Sequence, residues 1–307
     1  MAGRRGMANG KQCTLRRMAE PLRIVFCGTP AFAVPSLQAL LEDQSLNVHT
    51  VITQPDKPVG RSQEMCPPPV KLLAENHGIP VLQPEDINAH AEEIAPLQPD
   101  FIVVVAYGQL LKPALLTIPS IAPVNVHPSL LPRWRGASPI QHALLAGDSE
   151  TGVTIQHIVE RLDAGPILAQ ERTAIEPRET AQTLHDRLSV LGASLLVRTL
   201  KEPLHPHVQE ERDATQCTKL TRSDGIADPR EQTAEEIDRH VRALVPWPGV
   251  RCRITGEEVK LLATELDAAP DTLPLPCAQG TTLFVRMLQS PGKRPMSGAE
   301  WQRGHRA

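Results

Sequence analysis

No two of the six cysteines (Cys13, Cys27, Cys66, Cys217, Cys252 and Cys277) stand at C-x-x-C spacing, so the chain carries neither the framework of a zinc ribbon nor the pairing pattern of a disulfide scaffold. Cys27 sits inside an apolar run, where it reads as a small buried hydrophobe. Long apolar runs are missing as well. FIVVVA at 101–106 is strand-length, far short of the roughly 20 residues that a membrane helix needs. The first twenty residues hold five basic side chains (Arg4, Arg5, Lys11, Arg16, Arg17) against one acid, yet they lack the apolar core of about 7 to 15 residues that a secretory signal requires. Residues 1–21 are therefore expected to be a disordered basic extension or an upstream start, with an organelle presequence as the minority reading. Nor does a G-x-G-x-x-G follow the first strand: the residues there are GTPAFA, which leaves Gly28 as a tight-turn glycine and implies neither NAD nor FAD. No internal repeat is present.

The 307 residues are 41% hydrophobic, enough for a sizeable core and for two domains. Through the first two thirds, short apolar runs alternate with helical patterns, which predicts an α/β fold with a mostly parallel sheet. Strands are expected at 24–28, 47–54, 80–83, 101–106, 123–127, 153–159 and 167–175. Helices are expected at 35–42, 70–77, from Pro139 (with Ser138 as N-cap) to Gly147, and over about 180–201. Residues 203–216 are polar and proline-bearing, as an exposed linker is. Thr233 and Glu236 stand at capping-box spacing, and short alternating runs after that helix suggest a small β-barrel or sandwich. The expected organisation is a catalytic domain over 22–202, a linker over 203–216 and a smaller domain over 217–303, with 292–307 as a loose tail.

A net charge of −3 argues at first against a polyanionic partner. The charge is uneven, however. Residues 239–307 hold ten Lys or Arg against six Asp or Glu, and this piece, which includes Lys293 and Arg294, is the better candidate for contact with an anionic polymer.

NVHPSLLPRWRG at 125–136 places an amide and an imidazole, Asn125 and His127, two residues apart at the carboxyl end of a strand. Their side chains share a face at the end of an open sheet where ligands bind. An isolated histidine there is ordinarily a packed one. With an amide donor beside it, the pair also suits a carbonyl oxygen that becomes negative during reaction. Asp163, in LDAGPIL, sits before a glycine in a turn, which is usual turn chemistry. If its strand neighbours that of His127, it could orient the imidazole. His157 reads as structural or pocket-lining, and His205 and His207 as non-catalytic. The stretch 54–71 is too long and proline-rich for a simple connection, and is either functional or a solvated insertion. No metal-ligand cluster stands out.

Together IVFCGTPAFAVPSL, QPDKPVGR with the later PVK, AYG, NVHPSLLPRWRGASPIQHALLAGD, TGVTI with LDAGPIL, and VRALVPWPG resemble the methionyl-tRNA formyltransferase family over about residues 22–303. The NVHPSLLPxxRG block marks the wider group of 10-formyltetrahydrofolate formyltransferases and hydrolases, and the other motifs narrow it. The resemblance implies a Rossmann-like domain followed by an OB-like barrel that holds tRNA, a catalytic trio of Asn125, His127 and Asp163, and folate contacts by Ser129, Leu130, Leu131 and Pro132. It implies that Arg61 reaches the tRNA acceptor end, although SQEM follows it where the family usually has a basic run. The implied partners are 10-formyltetrahydrofolate as co-substrate and methionyl initiator tRNA, with no metal and no membrane, for a cytoplasmic monomer.

Overall fold

In the computed structural model the described residues are 20–60 and 63–305, with the side chain of Val59 excluded. They form two compact units. The first takes the chain up to His127 together with Val153–Glu171 and Ser189–Gln209; the second takes Pro128–Gly152, Arg172–Leu188 and the chain from Glu210 onward. The basic extension inferred at the N-terminus lies, up to residue 19, outside the described residues.

The first unit is organised by a seven-stranded sheet. Its strands are β1 (Leu22–Gly28), β2 (Leu46–Ile52), β5 (Val81–Leu82), β6 (Phe101–Val105), β7 (Ala122–His127), β9 (Glu150–His157) and β10 (Ile167–Ala174). They lie in the order β10-β9-β7-β6-β1-β2-β5. The pairs β1–β2, β1–β6, β2–β5 and β6–β7 are parallel, while β7–β9 is antiparallel. Strands β1 and β6 are buried nearly throughout, as continuous apolar runs in a sheet covered on both faces should be. One side of the core is built from Val25, Cys27, Ile52, Ile102, Val104, Tyr107 and Leu115. Burial pushes the Cys27 thiol up to about 12, so it is a packing group and not a nucleophile.

Two glycines show how closely the layers approach. A Cβ on Gly28 would stand 2.6 Å from the Phe26 ring and 2.9 Å from the Ala33 methyl, so this position needs smallness and not a phosphate-cradling turn. Gly192 lies within helix Ala181–Lys201, where glycine is costly on propensity alone. A Cβ there would come 2.9 Å from Val126 Cγ1 and 3.3 Å from Val153 Cγ1; this glycine lets the helix sit directly on the back of β7 and β9.

The stretch 54–71 carries a pair of short strands among its described residues. Lys57–Val59 (β3) and Glu64–Cys66 (β4) pair as an antiparallel hairpin. Its base is tied down where Lys71 Nζ donates to both Asp56 oxygens, at 3.0 and 2.9 Å, and Gln83 Nε2 donates to Asp56 Oδ1 at 2.6 Å.

In the second unit, Val250–Ile254 (β12), Glu257–Glu265 (β13), Leu273–Pro276 (β14), Thr282–Gln289 (β15) and Met296–Ser297 (β16) form an antiparallel half-barrel in the order β12-β13-β15-β14, with β16 on β15. Helix Ala234–Leu244 starts at the expected capping box of Thr233 and Glu236 and turns Ile237, Val241 and Leu244 into the core. Asp238 is also buried there. Arg178 reaches both its oxygens at 3.0 Å, Arg242 Nε donates to Oδ2 at 2.8 Å, and Thr264 Oγ1 donates to Oδ1 at 2.8 Å, the full pairing that a buried carboxylate demands.

Helix Pro139–Ala146 has Ser138 as N-cap, proline in its first turn and Gly147 as C-cap, as expected; the Ser138 hydroxyl makes no cap hydrogen bond, while its carbonyl accepts from His142 N at 3.1 Å. One local expectation is corrected. Within the expected loose tail, the described residues 292–305 are ordered. Met296–Ser297 pairs with β15, Ser297 and Glu300 form a capping box, and helix Gly298–Gly304 buries Trp301 to 2% exposure, its Nε1 donating to Ser290 Oγ at 3.2 Å. A single large aromatic provides that anchor, which a count of polar residues overlooks.

Candidate active site

Parallel strands deliver their carboxyl ends to one edge of the sheet. There Thr29, just past β1, donates its hydroxyl to Tyr107 O at 3.0 Å and accepts from Gln54 N at 3.3 Å, tying together the ends of β1, β2 and β6. Ala106 and Gly108 both take positive φ, 47° and 94°, and Tyr107 between them is turned inward to 2% exposure. Burial pushes the Tyr107 phenol above its ordinary range.

Strand β7 ends at the same edge with Asn125 and His127 on one face. Its antiparallel neighbour sets Gln156 opposite Asn125 and Thr154 opposite His127, so four polar side chains share that face. Asn125 is half-buried, while His127 and Gln156 are 4% and 2% exposed. The opposite face of these strands carries Val124, Val126, Val153 and Ile155, all buried. His157 belongs to that second face and takes no place beside His127.

Asp163 closes the turn after β9. Its Oδ1 lies 3.6 Å from His127 Nδ1, within ion-pair reach although longer than a hydrogen bond. Gln156 Nε2 donates to that same oxygen at 2.8 Å. Asp163 itself takes φ 51°, in the left-handed region that aspartate enters more readily than most L-residues. The next glycine is imposed by space, because a Cβ on Gly165 would stand 1.7 Å from the His157 carbonyl oxygen. An amide donor, an imidazole and a carboxylate behind the imidazole can stabilise a carbonyl oxygen as it gains charge and can move a proton between the groups on either side of it.

Ser129, Leu130, Leu131 and Pro132 belong to the second unit. Ser129 is buried and donates to Arg133 O at 2.6 Å, Leu131 is buried, Leu130 and Pro132 are half-buried, and the Leu131–Pro132 peptide is cis. The arginines and tryptophan that follow are fixtures of this loop. Arg133 Nη2 and Trp134 Nε1 donate to Asp148 at 2.7 and 2.8 Å, and fully buried Arg135 pairs with Glu211 at 3.0 Å. Arg135–Gly136 (β8) pairs in parallel with Gln216–Cys217 (β11), and Gly136, at φ 122°, admits the Cys217 carbonyl, which a Cβ would meet at 2.2 Å. Lys293 and Arg294 are exposed in the turn between β15 and β16. Arg61 lies outside the described residues.

Sequence reasoning missed two residues at the Asp163 turn. The alternation of VTIQHIV does put Thr154 and Gln156 on one face, and a buried polar pair on a strand was the available signal. Gln209, from the segment taken as an exposed linker, has no such signal. Most of 203–216 is exposed, but Gln209 is only 5% exposed, and its Nε2 donates to the carbonyls of Asp163 and Gly165 at 2.9 and 2.7 Å.

Residues 22–200 match the Formyl transferase family and residues 219–306 match Formyl transferase, C-terminal domain: the chain belongs to that family of formyl-transferring enzymes. Within it, the chain is 46% identical over 301 residues to the methionyl-tRNA formyltransferase of Halorhodospira halophila, covering 92% of this chain and 96% of the relative. It is 44% identical over 296 residues to that of Stutzerimonas stutzeri, covering 91% and 93%. Among solved structures it is similar to an N-formyltransferase from Helicobacter canadensis in complex with folinic acid and dTDP-3-aminofucose, with a TM-score of 0.66 and 18% identity over 86% of this chain and 98% of that one, a likeness of fold. No helix among the described residues is long and apolar enough to cross a membrane.

Proposed function

We propose that the protein transfers the formyl group of 10-formyltetrahydrofolate to the α-amine of methionine esterified to initiator tRNA. The observation that carries this reading is the sharing of one sheet face by Asn125, His127 and the Asp163 carboxylate, with the Asp163 Oδ1 3.6 Å behind the imidazole. Identity of 40–46% to methionyl-tRNA formyltransferases across both domains supports the choice of acceptor.

The attacking amine must be neutral. An ordinary α-amino pKa of about 7.7 to 8.0 leaves a usable fraction free near neutrality, so the nucleophile needs little activation. Its lone pair adds to the formyl carbon, His127 takes a proton from the resulting ammonium, and the oxyanion accepts from the Asn125 amide and from the imidazolium so formed. His127 carries the proton lost by the amine to N10 of the folate, the C–N10 bond breaks, and tetrahydrofolate leaves with that proton. Asp163 stabilises the imidazolium formed between the two transfers. No metal ion takes part in these steps. Ser129, Leu130, Leu131 and Pro132 hold the folate, while Arg61, Lys293, Arg294 and the domain over 217–303 hold the tRNA. The protein acts as a monomer in the cytoplasm.

Incubation with 10-formyltetrahydrofolate and either charged initiator tRNA or an amino-sugar nucleotide tests the reading. Formyl label on the methionyl-tRNA alone is expected. Label on the small amine alone would overturn the assignment of acceptor, and consumption of the folate with no formylated amine would make the protein a hydrolase.

A further inference from the structure

Resting on the assignment of Asp163 as the partner of His127, we infer that Gln209 and Gln156 are positioning residues that set where the Asp163 carboxylate points. Gln209 lies between the stretches matched by the two family domains, which end at residue 200 and begin at residue 219. The strap that carries it is lashed to β10 two residues earlier, where His207 and Ile167 exchange backbone hydrogen bonds of 2.8 Å in both directions. From there Gln209 uses both hydrogens of one amide nitrogen on the turn, at the Asp163 carbonyl (2.9 Å) and the Gly165 carbonyl (2.7 Å). The same nitrogen stands 3.5 Å from Gln156 Oε1, and the Gln156 Nε2 donates to Asp163 Oδ1 at 2.8 Å.

The two glutamines thus grip the turn at both ends of one residue. Gln209 fixes the backbone of Asp163 at its φ of 51°, and Gln156 fixes the carboxylate oxygen that faces His127. An amide is suited to this task because it donates without adding charge beside a carboxylate. Neither glutamine is assigned a contact with the reacting atoms. Their effect runs through Asp163, and it should therefore appear in turnover and not in substrate affinity. Loss of placement by a fraction of an ångström to one ångström at such a group costs about 10- to 100-fold in rate.

A double-substitution cycle tests this. Gln209→Met keeps the length of the side chain and removes both donors; Asp163→Asn removes the carboxylate. Single-turnover rates and KM for charged tRNA and for 10-formyltetrahydrofolate are measured for each variant and for the pair, with circular dichroism confirming the fold. The expected result is a 10- to 100-fold lower rate for Gln209→Met with both KM values within about twofold, and less than a twofold further loss when it is added to Asp163→Asn. A wild-type rate in Gln209→Met, or losses that multiply in the pair, would overturn the inference. If Asp163→Asn alone retains full rate, the reading of Asp163 itself has failed. Should Gln209→Met not fold, Gln156→Met in the same cycle decides by the same criteria.

Discussion

Replacing Gly192 by alanine asks how firmly the back of β7 is coupled to its reactive face. The new methyl would sit 2.9 Å from Val126 Cγ1, whereas carbon atoms settle at about 3.5 to 4.0 Å, so helix or strand must give way by roughly 0.6 Å or more. Val126 is 3% exposed and, being β-branched, is stiff at χ1. Overpacking of this kind costs about 1 to 3 kcal/mol, and the gain in helix propensity from glycine to alanine returns about 1 kcal/mol. The steric cost wins, by about 1 kcal/mol, which lowers a melting temperature by about 2–4 °C. Val126 separates Asn125 from His127 in β7, so the same push displaces both, and a displacement of that size costs up to about 100-fold in kcat. Thermal unfolding followed by circular dichroism and steady-state formylation of methionyl-tRNA measure the two effects. A variant that melts higher than wild type with an unchanged kcat would refute the argument, since propensity would then have outweighed packing and the strand would not have moved.

Three other outcomes are expected. Asn125→Ala should lower kcat by about 10²- to 10³-fold, the usual cost of one oxyanion donor, while a filter-binding titration gives near-normal tRNA affinity. Replacing Lys293 and Arg294 together with alanine should weaken tRNA binding and reduce the slope of log K against log salt by roughly 1.5, read from the same titration between 50 and 200 mM salt; an unaltered slope would remove this turn from the interface. The Asp43 carboxyl is held down to about 2, first by its hydrogen bond from Lys201 and next by Ser45. Because its folded value is depressed, the small stabilisation it gives at this partly exposed site is present above the unfolded value of about 3.9 and disappears as pH falls through about 2. Carbon-detected NMR titration of Lys201→Met should show that carboxyl returning towards the ordinary range.

The periodic pattern of the chain was enough to locate its major elements. Continuous apolar runs became β1 and β6 at the centre of the sheet, the alternating run at 153–159 became β9, and the capping box at Thr233 opened its helix, because burial and caps act over a few neighbouring residues. The pairing of polar residues at 125 and 127 likewise follows from the two-residue repeat of a strand. The pairing of β3 with β4 and the Trp301 helix were not legible: each is stabilised by a group outside its own segment, Gln83 in one case and Ser290 in the other.

The limit is clearest at the turn after β9. Local sequence marks Asp163 as a turn residue and does no more. That it faces His127 depends on β9 lying antiparallel beside β7, a register chosen by the valines and isoleucines on the hidden face of both strands. That it stays there depends on an amide forty-six positions further along. Chain composition determined that a parallel sheet would gather its strand ends at one edge; only the long-range closing of β9 and the 207–209 strap decided which side chains meet there, since hydrogen bonds between distant residues leave no period in the sequence to read.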